Sequence, residues 1–72
     1  MKNTAATKWI KPQAWGHLQP GDHVHVTEAS GFTYAAQVET MTPNADIIWV
    51  RALGLWTRHL LTNHEGVLVT LA

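Results

Sequence analysis

The chain has no cysteine, no excess charge of either sign and no long apolar run. The first absence removes a disulfide framework and every thiolate metal site, so stability has to come from packing, a non-cysteine metal site or self-association. Five Lys/Arg balance five Asp/Glu, and the basic residues Lys2, Lys8, Lys11, Arg51 and Arg58 are spread out. The basic stripe that marks a polyanion binder is therefore missing. Net charge is near zero at neutral pH and turns positive as the five histidines protonate. No segment approaches the roughly 20 apolar residues of a membrane span, and MKNTAAT at the start lacks an apolar run of signal-peptide length. The expectation is a cytoplasmic protein with no membrane contact. The sequence also lacks a nucleophile elbow, a phosphate-binding glycine loop and an HExxH string. A chain of 72 residues leaves little room for a ligand cavity of roughly 300–1,000 Å³ unless subunits assemble around it. The expectation is no catalysis, no cofactor and no metal.

What is present in quantity is tryptophan. Trp9, Trp15, Trp49 and Trp56 can each bury roughly 150–250 Å², which enlarges the core of a domain near the lower size limit for independent folding. Residues 1–8 are small, polar and aperiodic, and read as a flexible tail. Residues 9–20 carry Pro12, Gly16 and Pro20, which interrupt helices and central strands. They read as an irregular lead-in whose Trp9, Ile10, Trp15 and Leu18 can fold back over the rest. Residues 21–72 form the folded body.

Within that body, short alternating runs are separated by turn residues, the pattern of an all-β barrel or sandwich. HVHVT (23–27) puts Val24 and Val26 inward and His23, His25 and Thr27 outward. FTYAAQVETM (32–41) sets Phe32, Tyr34, Ala36 and Val38 against Thr33, Ala35, Gln37 and Glu39. TPNAD is a strong turn. IIWVRA (47–52) sets Ile48, Val50 and Ala52 against Ile47, Trp49 and Arg51. LWTRHLL (55–61) is ambiguous in phase, because Leu60 and Leu61 are both apolar. TNHEG reads as a turn or a single 3₁₀ turn, and VLVTLA (67–72) as a last strand with Val67, Val69 and Leu71 inward.

Pro20-Gly21-Asp22 followed by alternating apolar residues, then five short strands with a tight reversal at Gly54, resembles the SH3-like small barrels, a class that includes Tudor and KOW-type modules. The resemblance covers residues 19–72. It implies a five-stranded SH3-like barrel, and little about activity. It also suggests an aromatic cage for methylated lysine or arginine, built from Phe32, Tyr34, Trp49 and Trp56 at one rim. Strand parity argues otherwise for Phe32 and Tyr34, placing both in the core.

Two features remain as candidate site residues. His23 and His25, at i and i+2 on one strand face, can ligate one metal with His59 or His64 as a third nitrogen. No Asp/Glu/Cys grouping at ligand spacing accompanies them, so the simplest reading is the outer side of a strand, with both histidines available as partner contacts. A pH switch would need burial or pairing that the sequence does not display. Trp49 has outward parity beside Arg51, with Arg58 on the neighbouring strand. Trp and Arg are the side chains most enriched where proteins bind one another. Trp49, Arg51, Arg58, His23 and His25 therefore form the candidate face for a protein partner. Self-association through the same surface is a further expectation, and a nucleic-acid partner stacking on Trp49 is the alternative.

Overall fold

The computed structural model describes residues 13–55 and 57–72. The expected tail, Trp9 and Ile10 of the lead-in, and Trp56 lie outside the described residues. The described chain is all-β: β1 (His23–Thr27), β2 (Thr33–Met41), β3 (Ile47–Ala52), β4 (Arg58–Thr62) and β5 (Leu68–Leu71). All pairings are antiparallel and the order is β4-β3-β2-β1-β5. The two edge strands β4 and β5 do not pair, so the hydrogen bonds define one open five-stranded sheet rather than a closed barrel. There is no helix among the described residues, and hence none long and apolar enough to cross a membrane.

Alternation produces this sheet because one face can be buried only if every second residue is apolar. Val24 and Val26 of β1, Tyr34, Ala36 and Val38 of β2, and Ile48, Val50 and Ala52 of β3 are buried together. Gly31 (φ 96°) and Gly54 (φ 81°) supply the left-handed turn conformations expected of them between β1 and β2 and after β3. Asp22 serves the turn that begins β1, accepting the Gln19 N–H on its carboxylate at 2.9 Å. In TPNAD the Asp46 carboxylate accepts from the Thr42 hydroxyl at 2.8 Å, which closes the turn between β2 and β3. Residues 63–66 form a turn with no 3₁₀ helix.

The structure resolves the phase of β4. Leu61 opposes Ile48 on the core side, and Leu60 opposes Trp49 on the outer side. Leu61 is accordingly buried and Leu60 exposed. Parity fails at two strand ends. Phe32 is 55% exposed and Leu71 54% exposed, although both were expected in the core. Parity fixes the side of the sheet toward which a side chain turns, and at these ends the described residues leave that side exposed.

The lead-in completes the core. Trp15 and Leu18 are buried among the valines of the sheet. The Gln13 side chain pairs with the edge of β5 as a short strand would. Its Oε1 accepts the Val69 N–H at 2.7 Å and its Nε2 donates to the Val69 carbonyl at 3.1 Å. Trp15 Nε1 donates to the same Oε1 at 2.7 Å, fixing the amide. Gln13 also exchanges main-chain bonds with Asn63: its N–H donates to the Asn63 carbonyl and its carbonyl accepts from Asn63 Nδ2. One residue thus links the edge of β5 to the turn after β4.

Candidate functional site

The outer face of the sheet carries the five candidate residues. The register sets His23, Gln37, Arg51 and Arg58 in one row across β1, β2, β3 and β4. At a strand spacing of about 4.8 Å this row is about 14 Å long. Trp49 lies in the next row, between Thr40 and Leu60. His25 lies in the row on the other side, between Ala35 and Thr70. All five side chains therefore share a face. Trp49 and the two arginines form its compact part, and the histidines its far side.

Arg51 and Arg58 stand directly opposite each other, a destabilising placement for like charges. Glu39 resolves it. Its Oε2 accepts from Arg51 Nε at 2.7 Å and its Oε1 from Arg58 Nε at 2.5 Å. The Arg51 bond first, and then that of Arg58, holds the Glu39 carboxyl below the usual carboxylate range. Its contribution is present above that range and is lost as acid protonates it. The register of β2 against β3 shifts between Val38 and Thr40, a bulge whose extra residue is Glu39. That shift also returns Met41 to the core side, opposite Ile48. Alternation places Glu39 on the outer face but names no partner for it there. The cross-strand register makes it the clasp of the arginines.

Trp49 is half-buried, and its neighbour Leu60 is 52% exposed. Trp15 does not cover Trp49, since it is packed in the core on the opposite face. His23 and His25 are exposed. Among the described residues no group of three His, Cys, Asp or Glu side chains could hold a metal ion.

Of the four cage residues, the three that are described, Phe32, Tyr34 and Trp49, separate into two sites. Tyr34 is buried, with its ring 5.5 Å from that of Phe32 and 5.0 Å from that of His59. Its hydroxyl donates to Glu28 Oε2 at 3.1 Å. Trp49 stands on the other face. Burial first, then the hydrogen bond and the charge of Glu28, push the Tyr34 phenol well above its ordinary value of about 10. A raised phenol pKa contributes stability that is complete below pH ~10 and is lost as pH climbs through the folded value. Tyr34 is the only tyrosine in the chain. An alkaline titration is therefore expected to show phenolate absorbance rising together with loss of tryptophan fluorescence structure, both well above pH ~10. A phenolate transition near pH ~10 in the folded chain would contradict the buried position.

No protein-family model, no curated protein and no solved structure matches the chain.

Proposed function

We propose that the chain is an SH3-like small barrel acting as a non-catalytic interaction module, and that it engages a protein partner through the outer face of β2, β3 and β4. The observation that carries this reading is the adjacency of half-buried Trp49 and exposed Leu60 to two arginines already held in place by Glu39. Interface hot spots combine aromatic area with arginine donors, and side chains fixed before binding lose less entropy on binding. The meander whose last strand returns beside the first supports the barrel assignment, as does Gln13 linking the edge of β5 to the turn after β4.

Charge favours protein over nucleic acid as the partner. Five Lys/Arg balance five Asp/Glu over the whole chain, and Arg51 and Arg58 are the two basic residues of the proposed face. Both guanidinium groups already face a carboxylate, which offsets their attraction for phosphate.

Trp49→Ala is the test. In affinity capture by the full chain, the variant is expected to lose a partner bound by the parent, with a decrease of about 2 kcal/mol or more in measured binding energy. Its melting temperature is expected to stay close to the parent's. Unchanged binding would remove the assignment of this face. An unfolded variant would make Trp49 a folding residue, and Leu60→Ser on the same face would then decide the matter. Sedimentation of the parent and Trp49→Ala chains separates self-association from capture of a different protein.

A further inference from the structure

The sheet has two edges, and they are treated differently. In an antiparallel ladder alternate residues turn their main-chain groups toward the partner strand and away from it. The Ala52 N–H donates to the Thr57 carbonyl and the Asn63 N–H to the Asp46 carbonyl, at the two ends of the β3–β4 pair. Those bonds fix the phase: residues 57, 59, 61 and 63 face β3, and Arg58, Leu60 and Thr62 turn their main chains to the free edge. Thr62 is satisfied locally, its N–H by Glu65 Oε1 and its carbonyl by the Glu65 N–H. Arg58 and Leu60 have no main-chain partner among the described residues. On the β5 edge, by contrast, Val69 is capped on both groups by the Gln13 amide. Unpaired edge groups are a template for an added strand.

Beside the open edge lies a groove of about 270 Å³. It is bounded by Glu28 and Ser30 of the β1–β2 turn, His59 and Leu60 of β4, and Glu65 and Val67 from the β4–β5 connection. Among the described residues no lysine or arginine lines it. Each carboxylate has one oxygen engaged in the fold, Glu28 Oε2 with the Tyr34 hydroxyl and Glu65 Oε1 with the Thr62 N–H. The other oxygens, Glu28 Oε1 and Glu65 Oε2, accept no hydrogen bond among the described residues. The volume and charge of the groove suit one basic side chain, with Leu61 and Val67 among its apolar lining residues for the methylenes.

We infer that the free edge of β4 accepts an extended segment of a partner protein as an added strand, bonded to the main chains of Arg58 and Leu60, and that a lysine or arginine of that segment enters the groove between Glu28 and Glu65. Charge complementarity selects this occupant. Among the described residues the groove presents two carboxylates and no lysine or arginine, and strand addition supplies the backbone bonds that hold the basic side chain in register. A second copy presenting its β5 edge fits less well, because that edge is closed at Val69 by Gln13, and one presenting its β4 edge brings no lysine to the groove. The site borders the Trp49 face and shares Arg58 and Leu60 with it, so the changes expected to weaken it fall only on Glu28, Glu65 and the peptide and leave Trp49, Arg58 and Leu60 untouched.

The probe is a short peptide of alternating threonine and valine with one central lysine, titrated into the full chain. Binding is expected to slow hydrogen exchange at the Arg58 and Leu60 amides. Changing the peptide lysine to glutamine, or changing Glu28→Gln and Glu65→Gln together in the protein, is expected to weaken binding about tenfold. Glutamine keeps the acceptors for Tyr34 and Thr62, so the melting temperature of the double variant should remain close to the parent's. Trp49→Ala should bind the peptide as the parent does. Unchanged exchange at Arg58 and Leu60, or indifference to the peptide's lysine, overturns the inference. So does binding that emerges only in a Lys8→Ala, Lys11→Ala chain, since the N-terminal segment would then be the occupant.

Discussion

Trp15→Ala is expected to destabilise the chain by about 3–5 kcal/mol. Trp15 is 1% exposed and is the largest of the fully buried side chains. It comes from outside the sheet, so its removal opens a cavity that the neighbouring strands cannot close without breaking their ladder. Domains of this size have roughly 5 kcal/mol of total stability at the lower end of the usual range. The variant should therefore be largely unfolded at physiological temperature, with collapsed amide dispersion and no cooperative melting transition. Trp15→Phe separates packing from hydrogen bonding. It retains most of the apolar volume and loses only the Nε1 bond to Gln13, so an intermediate cost of about 1–2 kcal/mol is expected. A denaturant midpoint for Trp15→Ala equal to the parent's would show that the lead-in is not part of the core.

Gln13→Ala carries the second large effect, about 2–3 kcal/mol, although Gln13 is not itself fully buried. The side chain makes three hydrogen bonds, two to Val69 and one from Trp15 Nε1. Truncation leaves the indole N–H without an acceptor inside the core and uncovers both main-chain groups of Val69. A buried donor left unmade costs about 1–3 kcal/mol, more than the net worth of a typical bond. Gln13→Glu keeps both acceptor roles and loses the single donor, so its stability should fall between the parent and the alanine variant. The two lead-in substitutions share one bond, and the double variant should lose less than the sum of the singles. Uncapping β5 also exposes a second edge, and Gln13→Ala should show concentration-dependent association in sedimentation. Full additivity with no association would mean that Gln13 does not act as the edge cap.

Both effects belong to residues whose importance the sequence only outlined. Alternation together with the turn residues located β1, β2, β3 and β5 within a residue or two, because a half-buried strand imposes a period of two on its own side chains. For the same reason Val24, Val26, Val38, Ile48 and Val50 were legible as core, and Trp49, Arg51, His23 and His25 as outer-face residues. Adjacent Leu60 and Leu61 could not be phased from within β4. What distinguishes them is the residue opposite each, Trp49 for one and Ile48 for the other. Phe32 and Leu71 had core parity and no cover. In each case the missing information was what lies across the sheet or above it.

The same reason applies to the candidate site. The local pattern put Glu39 on the face of Gln37, yet its role as the shared partner of Arg51 and Arg58 depends on a bulge that exists only in the pairing of β2 with β3. Nothing near Gln13 announces a contact with Val69, 56 residues away. By itself the sequence determined that this is an all-β chain without cysteine, with one apolar and one polar face to most of its strands, because those properties are local and periodic. The tertiary structure decided which charges are paired, which edge is capped and which edge has no partner among the described residues. Those outcomes rest on bonds between segments distant in the chain, and no local pattern encodes them.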